Sequence, residues 1–478
     1  MSQISLPAPD ASVLARRNDI VKQLKKLAPE ATMISDQEGR RAFETDALTA
    51  YRCLPLAVIL PTTTEEVSKI LRFCHENHVK VVPRGAGTSL CGGALPLEDA
   101  LVVCLSRMTK VLSINTTDRV ARVQAGITNI GITQAAAGDG FFYAPDPSSQ
   151  IACTVGGNIA TNSGGAHCLK YGVTTNNVLG VRIVMMNGEI LDIGGDYLEA
   201  PGYDFLALIV GSEGQLGVVT EVTVRLLKSP EGARPMLLGF DTTDAAAACV
   251  GGIIAAGIVP VAIEFMDRPA IHVCEHFVAA GYPLDVEALL IVEVEGSEDE
   301  IDTLLERIGE IARDYNPVTM HRSQSAEESA KIWKGRKAAF GAIGQLSDYI
   351  CMDGVIPLSK LPKALDEIGW ICRKYRFDVA NIFHAGDGNL HPLILYNAND
   401  HLQLERVELC GAEILKLCVD LGGCLTGEHG VGIEKRELMG LQFNDADLAQ
   451  QMRVKQAFDP DWLLNPGKVF PLEGRKVQ

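Results

Sequence analysis

Three glycine-dense stretches in the first half of the chain constrain its fold more than any other feature. They are Pro83-Arg84-Gly85-Ala86-Gly87-Thr88-Ser89 running on to Gly92-Gly93, then Ala144 to Gly172, then Gly211 to Gly217. Glycine admits positive φ and lets backbone N–H groups come close to a bound oxyanion, so such stretches suit a pyrophosphate. Taken singly, each is equally the composition of an ordinary turn. Two standard nucleotide cradles are excluded. A dinucleotide fingerprint needs a third glycine where Leu90 stands after Gly85 and Gly87. The only Gly-Lys pair, Gly467-Lys468, is followed by Val469, so there is no Walker A loop.

The 478 residues exceed one ordinary core, which predicts two or more domains able to wall a cofactor off from water. A net charge of −17 with no basic run excludes nucleic acid as a partner, because phosphate neutralisation needs clustered Lys and Arg. Thirteen cysteines stand singly without a CxxC pair, which excludes zinc-ribbon and ferredoxin-type spacing. No apolar signal-peptide region follows Met1, and the cysteines are expected to be reduced, buried thiols of a cytoplasmic protein. Ala245 to Ile263 carries no charge over 19 residues, near the length of a membrane span. It is rich in Ala and Gly and is interrupted by Pro260. A helix Ala245–Ala256, a stop at Gly257 and a strand Val259–Met266 account for it better.

Residues 1–50 read as a polar helical segment, with Val21, Leu24 and Leu27 at helical spacing. Leu56 to Leu60 is a strand, Thr63 and Glu66 form a capping box for a helix ending near His78, and the strand Val79–Val82 runs straight into the first glycine loop. Short strands follow at 101–105, 111–114 and 119–124. Lys228 to Gly232 is a linker. Beyond it, helices Ser297–Tyr315 and Lys360–Arg376 alternate with strands, as in a helix-covered antiparallel sheet. A further helix, Leu404–Leu421, sets Val407, Gly411, Ile414, Cys418 and Leu421 on one face before Gly422.

Phe383-His384-Ala385-Gly386-Asp387-Gly388-Asn389-Leu390-His391-Pro392 places two histidines around a Gly-Asp-Gly-Asn reversal, so the rings can converge across seven positions. Gly427-Glu428-His429-Gly430 follows the 404–421 helix. Two imidazoles and a carboxylate make an adequate set for zinc or a similar divalent ion, although His384 is equally readable as a hydrogen-bonded strand residue. The pattern is not HExxH.

With Pro145-Asp146-Pro147-Ser148-Ser149, Thr154-Val155-Gly156-Gly157-Asn158 and Gly211-Ser212-Glu213-Gly214 added to the loop at 83–93, the chain resembles the FAD-linked oxidases of the vanillyl-alcohol-oxidase (PCMH-type) family. The likeness runs over nearly the whole length. It points to the branch holding the FAD subunit of glycolate oxidase and the D-lactate and D-2-hydroxyglutarate dehydrogenases. It implies an α+β fold: a two-part PCMH-type FAD-binding domain over 51–230 after the segment 1–50, an antiparallel-sheet substrate (cap) domain over 231–425, and a C-terminal segment, 426–478, returning to the flavin. Residues 83–94 hold no His or Tyr, so it implies noncovalent FAD. The implied cofactor residues are Arg84, Gly85, Ala86, Gly87, Thr88, Ser89, Gly92, Gly93, Pro145, Asp146, Ser148, Ser149, Thr154, Gly156, Gly157, Asn158, Glu213, Gly217, Val218 and Asn465. The implied metal ligands are His384, His391 and Glu428, for zinc first and manganese or iron as alternatives, with His429 as catalytic base.

The activity so implied is oxidation of a small D-2-hydroxy acid, glycolate or D-lactate. Adjacent residues of a regular strand point opposite ways, so Glu428 and His429 can serve one site only if Gly427 and Gly430 permit an irregular loop. A substrate carboxylate calls for a forked guanidinium, and the resemblance implies Arg336, since the related enzymes carry an arginine in this segment; a solvated helix face beside Lys334 and Lys337 is its competing reading. Lacking cluster, haem and NAD motifs, the chain is expected to pass electrons to an external acceptor. The resemblance implies a second flavin-type subunit and an iron–sulfur subunit, and at most peripheral membrane association through them. Three alternatives stand: a D-2-hydroxyglutarate enzyme, a zinc-dependent hydrolase that leaves the glycine loops idle, and a non-catalytic flavin-binding subunit that leaves the histidines idle.

Overall fold

The structure, a computed structural model, describes residues 4–197 and 202–472. Residues 1–3, 198–201 and 473–478, into which the expected ranges 1–50, 51–230 and 426–478 run, lie outside the described residues. The chain forms two units. One comprises 4–164, 172–229 and 428–472 of the described residues; the other comprises 165–171 and 230–427.

The first unit opens with a short helix, Ala11–Ala15, and then helix Arg17–Leu27, whose Ile20, Val21 and Leu24 are buried. Strand Ala57–Leu60 follows, then helix Thr64–Glu76, started by Thr63, whose hydroxyl accepts the Glu66 amide at 3.2 Å. Glu66 in turn accepts the amide of Thr62 at 2.7 Å, one residue earlier than a capping box predicts. Strands Ala57–Leu60, Ala100–Cys104 and Lys80–Arg84 pair in parallel in that order, with Thr32–Ile34 antiparallel on the far edge. A five-stranded antiparallel sheet carries the rest, in the order Val111–Asn115, Val120–Gln124, Val218–Arg225, Val178–Val184, Ile190–Gly194.

The open side of strand Lys80–Arg84 is closed by the end of the chain. The Val81 amide donates to Leu463 O at 2.8 Å, and the Asn465 amide donates to Val81 O at 2.7 Å. Helix Asp445–Phe458 anchors this return through Lys455, which is 1% exposed and donates to Gln215 O, Leu464 O and the Asp459 carboxylate.

The second unit is a seven-stranded antiparallel sheet ordered Thr319–Arg322, Gly232–Phe240, Ala288–Gly296, Ala262–Asp267, Val379–His384, Pro392–Tyr396, Asp348–Cys351. Strand Ala262–Asp267 is buried along its whole length, so both faces are covered. Helix Arg268–Val278 packs on Ala326–Leu346, and helix Thr243–Ala255 packs on Glu298–Arg313 and Leu361–Tyr375. This is the helix-covered antiparallel sheet expected after the linker. The uncharged stretch after Ala245 is a helix and a strand, and among the described residues no helix is long and apolar enough to cross a membrane. The strand starts at Ala262 rather than Val259 because Pro260 has no N–H for the ladder. Helix His401–Asp420 buries Val407, Gly411, Ile414 and Cys418 as its spacing predicts.

Lys455 and Asp459 are both buried, so removing one leaves the other charge uncompensated. Lys455→Met is expected to lower stability by about 3–5 kcal/mol. Lys455→Met combined with Asp459→Asn should recover part of that loss in urea unfolding. A single variant as stable as the parent would contradict the anchoring role.

Candidate functional site

Strand Lys80–Arg84 delivers the first glycine loop from the edge of its sheet. Among the described residues the amides of Gly85, Ala86, Gly87, Thr88, Ser89 and Gly92 donate to no protein acceptor, while those of Cys91 and Gly93 are taken by Ser89 Oγ at 3.4 and 3.1 Å. Most of these residues are half-buried or exposed, so the row of donors stands open to an acceptor from outside the chain. A diphosphate fits that donor set. Arg84 braces the row from beneath: its guanidinium donates to Thr45 O at 2.8 Å and lies 5.5 Å over the Phe43 ring. Gly87 has φ +76°, and a Cβ there would meet Arg84 Nη2 at 2.1 Å. At Gly85 a Cβ would come 2.2 Å from Thr154 Oγ1.

The other implied cofactor residues of this unit fall into two groups. Asp146, Ser148 and Ser149 lie on the turn before Thr154, with Pro145 buried and Ser148 exposed. Thr154 caps helix Val155–Thr161 by accepting the Gly157 amide at 3.3 Å. Gly156, Asn158, Gly217 and Val218 pack inward. A Cβ on Gly156 would sit 2.9 Å from Ala125 Cβ, and one on Gly217 would sit 2.4 Å from Ile183 Cδ1. Asn158 is buried and bonded to Asn129 at 3.2 Å, and Val218 begins the central strand.

Glu213 and Asn465 act as braces. The Asn465 carboxamide donates to Glu213 O at 2.7 Å and to Gly93 O at 3.4 Å. The Glu213 carboxylate accepts the amides of Val431 and Gly432 at 2.6 and 2.8 Å. Burial pushes the Glu213 carboxyl above its ordinary value, against these two amides and Lys435. Cys91 Sγ donates to His429 O at 3.1 Å. His429 thus sits on a loop gripped by two residues of the glycine stretches. Gly430, at φ +88°, lets that loop turn, and a Cβ there would strike the Glu213 carboxylate at 2.9 Å. His429 Nε2 and Glu428 Oε1 are 4.0 Å apart.

In the second unit the ladder sets Glu264 directly opposite His384. Glu264 Oε1 meets His384 Nδ1 at 2.7 Å. Arg336, in helix Ala326–Leu346, meets Glu264 Oε2 through Nε at 2.8 Å and Nη2 at 2.7 Å. It is 3% exposed, so the solvated-face reading of Arg336 does not hold; Lys334 and Lys337 take the exposed positions. Burial alone would raise the Glu264 carboxyl, but Arg336 and then His384 outweigh it and hold the group below its ordinary value. The reversal at 385–390 brings His391 to His384, with ring centroids 5.2 Å apart and planes at 82°. His391 Nε2 lies 3.5 Å from Asp353 Oδ1, and Asp353 also accepts the amide of Gly427, the residue before Glu428, at 3.1 Å. His384 and His391 belong to this unit, whereas Glu428 and His429 open the last stretch of the other.

Glu264 and Asp353 are absent from the residues that sequence singles out. One signal existed: a lone carboxylate inside Ala262-Ile263-Glu264-Phe265-Met266 must be paired if that strand is buried.

A family model described as "FAD binding domain" matches residues 55–194, and one described as "FAD linked oxidases, C-terminal domain" matches residues 229–469. "Glycolate oxidase subunit GlcD" of Escherichia coli (strain K12) is 47% identical, over 95% of this chain and 91% of its own length. The protein of that name in Bacillus subtilis (strain 168) is 38% identical, over 96% and 98%. "D-lactate dehydrogenase" of Archaeoglobus fulgidus is 32% identical, over 93% and 98%. Among solved structures, 4-ethylphenol oxidase from Gulosibacter chungangensis superposes with a TM-score of 0.82 at 17% identity, covering 98% of this chain and 100% of that one. p-Cresol methylhydroxylase does so with a TM-score of 0.81 at 14% identity, with the same coverage. These two show a shared fold of the PCMH type.

Gly87→Val should purify folded but stripped of flavin colour, with FAD affinity down by at least about tenfold, since the variant cannot keep φ +76° or clear Arg84. Full visible absorbance would remove the loop from the cradle. A second outcome concerns Lys468, which is wholly buried and pushed down to about 7 by that burial, against Asp46, Cys91 and Glu213. Between about 7 and the ordinary 10.5 the unfolded chain binds the extra proton, so stability rises with pH across that window. Flavin-free wild type should therefore gain on Lys468→Met in urea midpoint as the pH is raised from about 7 to 9. A pH-independent gap would contradict this.

Proposed function

The chain belongs to the FAD-linked oxidases, and from that premise we propose that it oxidises a small D-2-hydroxy acid, glycolate or D-lactate, with noncovalently held FAD. The observation that carries this reading is the row of unanswered amides at 85–89 and 92, in a chain 47% identical to a glycolate oxidase subunit over 95% of its length. Those amides would take the diphosphate oxygens, and the absence of His and Tyr from 83–94 supports a noncovalently held flavin. His384, His391 and Glu428 would hold a divalent ion; two nitrogens and a carboxylate suit zinc first, with manganese or iron next. When bound, the flavin supplies the hydride acceptor and the ion acidifies a ligated hydroxyl.

The chain's own residues do the remaining work. An imidazole nitrogen of His429 takes the hydroxyl proton, and the grip of Cys91 and Glu213 on its loop fixes where that nitrogen stands. Arg336 meets the substrate carboxylate with the Nη1 edge of its fork, the part not engaged with Glu264. The zinc-hydrolase alternative lapses with the family assignment. Electrons leave for an external acceptor; the word subunit in the names of the relatives supports partner chains, here proposed as a second flavin-type subunit and an iron–sulfur subunit, with peripheral membrane attachment only through them.

Anaerobic mixing with glycolate, D-lactate, L-lactate and D-2-hydroxyglutarate should bleach the flavin with one of the first two. Bleaching by D-2-hydroxyglutarate alone, or by none, would overturn the substrate assignment. His429→Ala should retain FAD and slow bleaching by about 10²- to 10⁴-fold. A chelator should abolish turnover in the parent, and full activity of metal-free protein would dismiss the ion.

A further inference from the structure

We infer that Glu264 is a positioning residue that sets two groups of the active site at once: the ring of His384 and the guanidinium fork of Arg336. The inference rests on the ion-binding reading above and deepens it. Glu264 is 0% exposed, and the strand register fixes it across from His384, so the carboxylate reaches the imidazole from the neighbouring strand of one sheet. Its two oxygens are divided between the partners: Oε1 faces His384 Nδ1 at 2.7 Å, and Oε2 faces Arg336 Nε at 2.8 Å and Nη2 at 2.7 Å. With Oε2 paired to the Arg336 guanidinium, Oε1 is left to accept from Nδ1, an arrangement that turns Nε2 to the role of ion ligand in a neutral imidazole. The same anion holds Arg336 through the Nε hydrogen bond, with Nη2 in ion-pair range, and thereby orients the far edge of the fork.

A purely structural account does not explain the trio. The strands around it are apolar, with Phe265 and Phe383 stacked 4.7 Å apart beside it. Three buried polar groups are more expensive to desolvate there than packed hydrocarbon. One carboxylate shared by an imidazole and a guanidinium makes sense if both must be held at set angles. The consequence is a coupling, because disturbing Glu264 perturbs ion affinity and substrate affinity together.

The test uses the full-length holoenzyme as wild type, Glu264→Gln and Glu264→Ala. Zinc affinity is read by competition with a chromophoric chelator, and flavin content, kcat and KM for D-lactate and glycolate are measured alongside. Glu264→Ala is expected to weaken zinc binding by about 10- to 100-fold with flavin content unchanged. The carboxamide of Glu264→Gln can still accept from Nδ1 but turns N–H groups toward Arg336. That variant should keep zinc affinity within about tenfold and raise KM by at least about tenfold, a split that a merely destabilised fold would not produce. If the Ala variant does not fold, the KM of the Gln variant decides. Wild-type zinc affinity and wild-type KM in the folded variants would overturn the inference alone. A wild type that takes up no zinc would overturn the ion-binding reading, and this inference with it.

Discussion

The backbone N–H groups of residues 85–90 and 92 are taken up by no acceptor among the described residues, and apart from Gly92 they sit on half-buried or exposed residues, open to a ligand from outside. The surrounding structure holds that arrangement in place. Arg84 pins the loop from below, Ser89 turns its own hydroxyl back to two of the amides, and the glycines keep side chains out of the row. A chain that spent these donors on its own carbonyls would be more stable alone and would have no hold on a diphosphate. On the reading proposed above, the diphosphate of the flavin cofactor is the acceptor these amides await.

Three buried carboxylates organise what the glycine loops do not. Glu213 gathers the amides at 431 and 432, Asp353 gathers Thr426, Gly427 and the approach of His391, and Glu264 gathers Arg336 and His384. Each serves several donors contributed by segments distant in sequence. An anion in that position favours the one arrangement that satisfies all its donors, so loop geometry is fixed by charge as well as by packing.

Local chemistry was legible and distant pairing was not. The Thr63 cap, the entry of a strand into the glycine loop, the convergence of His384 and His391 around Gly386 to Asn389, and the helix at 401–420 all follow from residues a few positions apart. Glu264 could not be placed, because its partners lie 72 and 120 residues away. Arg336 was balanced between a carboxylate-binding role and a wet helix face for the same reason, since only the sheet register reveals the acid it pairs with. The bracing roles of Glu213 and Asn465 likewise depend on contacts spanning 218 and 252 residues, which glycine patterns alone do not reveal.

The closing of strand Lys80–Arg84 by residues 463–465 bears on how the protein is made. The unit at 165–171 and 230–427 is nearly one continuous stretch, and a ribosome has released all of it before the last 51 of the 478 residues appear. Its partner has the opposite schedule, since its edge strand waits for the tail. Domains generally fold as units during synthesis, N-terminal parts first. Here the half that begins the chain is the one that finishes last. Until residues 463–465 have emerged, the nascent polypeptide therefore carries an open strand edge beside the first glycine loop, which is where chaperone protection has the most to act on.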